Sequence, residues 1–149
     1  MDMTHYKSDD ITLLLPPFRE RVVILLDALK GRGHEPVLFD GLRTPEEAQR
    51  NAQKGVGVLN SMHLYGIAAD IICGKHGWSC EKADCHFFAA LGLEAMKLGL
   101  TWGGTWRRRD MPHVQAIAVK DQTRFRRLKP EEREPFVRAI LRDEASVAT

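Results

Sequence analysis

Two short runs limit how this chain can fold: Ser61-Met62-His63-Leu64-Tyr65-Gly66-Ile67-Ala68-Ala69-Asp70 and Asp110-Met111-Pro112-His113. Together they hold two imidazoles and two carboxylates, and neither run suits a helix. His63 and Asp70 are too far apart for adjacent turns of one helix, and Gly66 between them disfavours helical backbone. Pro112 confines Met111 to extended conformations. These side chains are therefore expected on loops and strand ends. Gly66 permits a tight turn, and Ala68 and Ala69 leave room beside it. Asp70 opens the apolar run Ile71-Ile72-Cys73, which reads as a buried strand.

The residue types point to one kind of chemistry. A hydrolytic zinc site needs three side-chain ligands, an open position for water, and a base beside the water. His63, Asp70 and His113 are candidate ligands, and two imidazoles with a carboxylate suit zinc better than magnesium or calcium. Asp110, three positions before His113, is the candidate base. Turn-like or extended backbone before His113 lets both side chains point into one cleft. Each residue also has a plainer role: a lone histidine is commonly a surface or satisfied core residue, and an aspartate before a strand is commonly a cap. The joint pattern favours the site.

Around these runs the pattern is α+β. Apolar residues at Phe18, Val22, Leu25, Leu26 and Leu29 predict a helix over Phe18 to Lys30, with Pro17 in its first turn and Gly31 or Gly33 at its end. Val37-Leu38-Phe39 reads as a short strand that delivers Arg43. Thr44 suits the N-cap of a helix beginning at Pro45, with Glu46 and Glu47 in its first turn and Gly55 beyond its end. Asp70 to Cys73 is a second strand, and Lys82 to Lys97 a helix stopped by Gly99. Leu100 to Trp102 and His113 to Val119 read as strands joined through Gly103 and Gly104. Pro130 to Arg142 is a C-terminal helix with Phe136, Val137, Ile140 and Leu141 facing the body. The 149 residues are expected to form a single domain with one core.

A net charge of +2, the difference between 22 basic and 20 acidic residues, does not argue for nucleic acid. Arg107-Arg108-Arg109 and Arg124-Phe125-Arg126-Arg127 could contact phosphates, but solvated faces account for them, and near a cleft they could steer an anionic substrate. No run approaches a membrane span, and the polar start from Met1 to Asp10 is unlike a signal peptide. Synthesis in the cytoplasm is the expectation. Cys73, Cys80 and Cys85, with His76 and His86, could form a second zinc site, though the spacing matches no recognised knuckle. The simpler expectation is a free buried Cys73 and two loop thiols, with a Cys80–Cys85 disulfide open to the chain after export. His5, His34, His76 and His86 are expected at the surface.

Taken in order, these motifs resemble a known family. S-x-H-x-x-G-x-A-x-D at Ser61 to Asp70, W-G-G-x-W at Trp102 to Trp106, and D-x-P-H at Asp110 to His113 look like the zinc peptidases that include D-Ala-D-Ala carboxypeptidases and the L-alanyl-D-glutamate peptidases of phage endolysins. Gly41-Leu42-Arg43-Thr44-Pro45-Glu46-Glu47 is similar to the family's G-x-R-[ST]-x-x-E segment, and Leu59 to Leu64 looks most like the endolysin branch. The resemblance spans about Phe39 to Gln115. It implies a small antiparallel sheet flanked by helices, the Hedgehog and D,D-peptidase type of fold, with a catalytic core over about 34–120. It also implies one zinc per chain on His63, Asp70 and His113, Asp110 as general base, and Arg43 as a substrate or oxyanion contact. Ser61 and Trp106 are further candidate substrate contacts, and Trp102 suits either the cleft or the core. Val114 and Ala48 depart from the family's usual aromatic residue and Gln, which bears on substrate fit. The segment Cys73 to Cys85 has no match.

The implied activity is hydrolysis of the peptidoglycan stem peptide between L-Ala and D-Glu by a monomer without nucleic-acid partners or stable membrane insertion. Such a chain would reach the cell wall or periplasm once the membrane is permeabilised, the logic of a phage or prophage endolysin. A D,D-carboxypeptidase or dipeptidase with the same site is the near alternative. A non-catalytic cell-wall-binding module is the alternative of a different class, and its usual sign is loss of a ligand or of the base.

Overall fold

A computed structural model describes residues 9–43, 46, 49–50, 53, 61–80 and 86–147. Helix α1 (Pro16–Gly31) starts on two prolines, whose fixed φ suits a first turn. It buries Phe18, Val22, Leu25 and Leu29 along one face, each worth about 1.5–3 kcal/mol when taken out of water. Gly33, with φ 87°, turns the chain into strand β1 (Pro36–Asp40). The remaining elements are β2 (Ala68–Cys73), α2 (Phe87–Lys97), β3 (Thr101–Trp102), β4 (His113–Gln115), the short α3 (Gln122–Arg126) and α4 (Pro130–Val147).

The four strands form one antiparallel sheet in the order β1-β2-β4-β3. β2 therefore lies between β1 and β4, and its residues Ala68, Ala69, Ile71 and Cys73 are buried. α1 packs against α2 and α4. Arg21 fastens the three together, its guanidinium donating to Leu98 O at 3.2 Å and to Leu141 O at 3.0 Å, beyond α2 and within α4. This is the expected α+β arrangement of a small antiparallel sheet flanked by helices.

Several boundaries differ from the sequence expectation. β2 begins at Ala68, two residues early, because Ala68 and Ala69 pair with Gln115 and Val114 of β4. α2 begins at Phe87, since His86 sits in the left-handed region at φ 58° and interrupts any helix running from Lys82. β4 ends at Gln115 rather than Val119, and residues 119–121 form a 3-10 turn that leads into α3. α4 runs five residues past Arg142, with Val137 and Leu141 buried and Phe136 and Ile140 partly so. Of the helix expected from Pro45, Glu46, Gln49, Arg50 and Gln53 are helical. Thr44, Pro45, Glu47 and Gly55 lie outside the described residues, as do His5, Cys85 and Lys82.

Candidate metal centre

The sheet register assembles the site. Asp70 of β2 stands opposite His113 of β4, and on its other side opposite Asp40 of β1. Opposed residues of antiparallel strands project to the same face, so Asp40, Asp70 and His113 form a row across the sheet. His63 arrives from a 3-10 turn, Met62–Tyr65. Ser61 caps that turn, its hydroxyl accepting from His63 N at 3.1 Å. Gly66 ends the turn at φ 68°, where a Cβ would press on the backbone of Leu13 and Leu15 at 3.2 Å. Two bonds clamp the turn to the Gly41–Arg43 segment: Arg43 N donates to His63 O at 2.9 Å, and His63 Nδ1 to Gly41 O at 2.8 Å.

His63, Asp70 and His113 each offer one ligand atom, all within 4.8 Å of one another. His63 Nε2 lies 3.5 Å from Asp70 Oδ2, and His113 Nδ1 lies 3.3 Å from Asp70 Oδ1. A carbonyl can only accept, so the Gly41 bond puts the proton of neutral His63 on Nδ1 and leaves Nε2 as a lone pair facing Asp70. Asp70 Oδ1 is buried and has no hydrogen-bond partner among the described residues. A buried carboxylate oxygen facing imidazole nitrogens calls for a cation, because an unmatched buried charge is costly. These residues can hold a metal ion.

Burial of Asp70 alone would raise its pKa, but the imidazoles of His113 and His63 beside it outweigh that and hold the carboxyl far below the usual range. Burial alone would lower His113, but its bonds and charge interactions with Asp70, aided by Gln115 and Asp110, raise it overall.

Asp110 stands beside the cluster. Its Oδ2 lies 3.8 Å from His113 Nδ1, and its side chain is 48% exposed. Partial desolvation raises its pKa, His113 opposes that and the Asp70 charge adds to it. Residues 111–112 form a turn closed by His113 N donating to Asp110 O at 3.2 Å, in keeping with the non-helical backbone expected at Pro112.

The W-G-G-x-W segment explains how Asp110 is held. The Trp102 indole packs against Gly92 and Gly104, where an added Cβ would come within 2.3 Å and 2.1 Å of the ring. Its Nε1 donates to Met111 O at 2.7 Å. Trp102 is thus a half-buried anchor for the turn carrying Asp110 and His113. Gly103 seats against Asp110 itself, its carbonyl accepting from Asp110 N at 3.0 Å. The Trp106 ring lies 5.1 Å from the His113 ring.

Arg43 is buried and pairs with Asp40, which is also fully buried. Asp40 received no role in the sequence reading. The register sets Asp40 directly across from Asp70, so the pair lies on the adjacent strand beside it. Two other contacts escaped the sequence reading. Gly41 was read only as the first residue of the G-x-R segment, and its carbonyl contact with His63 is a backbone one with no side-chain signal. Gln115 is a polar residue two positions after His113 in an otherwise apolar run, and that was a readable signal. Its oxygen lies 2.8 Å from His113 Nε2. Among the described residues the second metal site is not formed: Cys80 is disulfide-bonded rather than a loop thiol, and Cys73 is free and buried as expected. Among the described residues the one metal-competent cluster is His63, Asp70 and His113.

Fold and site together define a small α+β domain with a His-Asp-His cluster at the sheet and a half-exposed carboxylate beside it. Residues 54–116 match the family described as D-alanyl-D-alanine carboxypeptidase. That segment contains the three ligand candidates and Asp110. Over 97 residues the chain is 33% identical to the L-alanyl-D-glutamate peptidase of Listeria phage A118. That alignment takes in 61% of this chain and 34% of the relative, so the chain spans about a third of the length of the curated relative it matches. The fold is similar to the crystal structure of the L-Ala D-Glu endopeptidase ChiX of Serratia marcescens. The TM-score is 0.57 at 21% identity, over 80% of this chain and 94% of that one.

Proposed function

We propose that the chain is a zinc peptidase of the peptidoglycan stem peptide, cutting between L-Ala and D-Glu, in the manner of a phage endolysin. The observation that carries this reading is the Asp70 carboxylate between two imidazoles, with its buried Oδ1 lacking a hydrogen bond and the half-exposed Asp110 beside His113. Ligand atoms about 2.0–2.2 Å from a tetrahedral zinc lie roughly 3.3–3.5 Å from one another. Each imidazole nitrogen lies at such a distance from one of the two Asp70 oxygens, 3.5 Å from Oδ2 for His63 and 3.3 Å from Oδ1 for His113, and single ligand atoms of all three residues lie within 4.8 Å of one another. The activities for which the phage and Serratia proteins are named support the choice of bond. The description of the matching family favours, as a second reading, release of terminal D-Ala by the same site.

His63, Asp70 and His113 would hold the metal. Bound zinc supplies Lewis acidity that polarises a carbonyl and makes water a nucleophile near neutral pH. Asp110 takes the proton of the attacking water on its carboxylate and passes it to the leaving amine nitrogen. A raised carboxylate pKa suits both halves of that transfer. Arg43, oriented by Asp40, steadies the substrate carbonyl or a substrate carboxylate with its planar fork. Trp106 forms a wall beside His113 for the peptide, and Ser61 serves the site by holding the His63 turn. The enzyme acts as a monomer on the cell wall after membrane permeabilisation, and no described helix is long and apolar enough to cross a membrane.

Elemental analysis tests the metal. The expected result is about one zinc per chain, lost in the His63→Ala, His113→Ala double variant. Full zinc occupancy in that variant contradicts the assignment.

A further inference from the structure

His63 and His113 present opposite ring nitrogens to Asp70, and each is backed by an acceptor on its far side. For His63 the acceptor is the backbone carbonyl of Gly41, bonded to Nδ1 at 2.8 Å. For His113 it is a side chain, Gln115, which is 1% exposed. Gln115 Oε1 lies 2.8 Å from His113 Nε2. Gln115 Nε2 donates to Ile117 O and to Gln122 Oε1, each at 2.8 Å.

The amide has only one orientation that satisfies this arrangement. A backbone carbonyl only accepts, so the Ile117 bond requires the NH2 group on that side. The amide oxygen must then face His113. That oxygen also only accepts, so neutral His113 must carry its proton on Nε2. Nδ1 is left as a lone pair aimed at Asp70 Oδ1, 3.3 Å away. Residues two apart on a strand share a face, which is why Gln115 of β4 reaches back to His113. Gln122, at the start of α3, grips the other end of the amide.

We propose that Gln115 is a positioning residue that sets the tautomer and ring plane of His113, with Gln122 and Ile117 O locking the amide. This rests on reading His113 as a metal ligand. Partners on the far side of a ligating imidazole typically change metal affinity by about tenfold to a hundredfold when removed. Gln115 cannot be replaced by an apolar residue of similar size without releasing the tautomer. Gln115→Glu keeps an acceptor for Nε2–H, and Gln122 can turn its own amide to donate to the new carboxylate.

The test combines zinc affinity, by chelator competition, with 15N NMR of the histidine rings in the metal-free protein at alkaline pH, where the imidazoles are neutral. In the wild type, His113 should show its proton on Nε2, protected from solvent exchange. Gln115→Leu should show mixed tautomers and bind zinc about tenfold to a hundredfold more weakly. Gln115→Glu should keep the Nε2–H form and hold zinc within a few-fold of the wild type. Loss of packing alone would weaken both variants alike and leave the tautomer unchanged. A folded Gln115→Leu protein with the wild-type tautomer and affinity overturns the proposal. If that variant does not fold, the wild type decides: a neutral His113 protonated on Nδ1 overturns it, and a protected Nε2–H supports it. Failure of the wild type to bind zinc refutes the metal-site reading instead, independently of the tautomer result.

Discussion

Gly103→Ala tests whether the W-G-G-x-W segment positions Asp110. A Cβ on Gly103 would lie 2.5 Å from Asp110 O and 3.0 Å from Asp110 Cβ. The obstacle is mainly backbone, and it is tied down by Asp110 N donating to Gly103 O and His113 N to Asp110 O. Trp102 Nε1 fixes the next residue through Met111 O. Ordinary contact begins at 3.4 Å, so Asp110 must retreat by about 0.9 Å, a shift on the scale of about 1 Å that can cost a hundredfold in rate. Overpacking of this kind costs about 1–3 kcal/mol of stability. The expected variant melts several degrees lower, keeps its zinc, and releases peptidoglycan fragments about a hundredfold more slowly. Gly31→Ala is the control, since a Cβ there meets nothing within 4 Å, and it should cleave at the wild-type rate. Wild-type turnover by a zinc-loaded Gly103→Ala protein would show that Asp110 is not held by this contact, or does not act.

Arg43→Lys should lose most activity while fold and zinc content persist, because an ammonium can still neutralise Asp40 but cannot reproduce the planar fork; unchanged turnover would reduce Arg43 to a structural partner of Asp40. Metal-free protein should show opposed pH effects in thermal melts. His113, raised in the folded state, stabilises fully below its unfolded pKa of about 6.5, and the gain fades as pH rises through its folded pKa. Asp70, depressed in the folded state, stabilises above about pH 4, and the gain is lost as pH falls through its folded value. The pair should therefore favour the window between those limits, and a stability rising steadily from pH 6 to 8, roughly across the His range, would count against it. Replacing Arg107, Arg108 and Arg109, all exposed, with Gln should raise KM for anionic stem peptides and flatten its salt dependence with kcat unchanged; an unaltered KM would mark them as a solvated loop.

The sequence carried the parts of this fold that depend on local pattern. Phe18, Val22, Leu25 and Leu29 recur at helical spacing and bury one face of α1. Pro36 to Asp40 forms the strand read from its apolar centre. His63, Asp70 and His113 converge as their residue types suggested. What the sequence did not carry depends on pairing across the sheet. β2 starts early because its alanines meet β4, a matter of register rather than propensity. The Arg43–Asp40 pair and the Gln115 bond to His113 arise between residues two or three apart, yet each is read only once the neighbouring backbone is placed. The role of Trp102 was open because an aromatic beside two glycines fits a cleft or a core equally well. Its bond to Met111 O decides for an anchor.

Digestion of purified peptidoglycan, with mass analysis of the new ends, tests the central claim most directly. Wild-type protein loaded with zinc should expose new amino ends at D-Glu and new carboxyl ends at L-Ala. Asp110→Ala, with zinc still bound, should yield these ends at least roughly a hundredfold more slowly, the scale of losing a general acid–base group. Release of free D-Ala instead would move the activity to the carboxypeptidase reading. Equal cleavage by the wild type and Asp110→Ala, or no cleavage by a zinc-loaded wild type, would contradict the account.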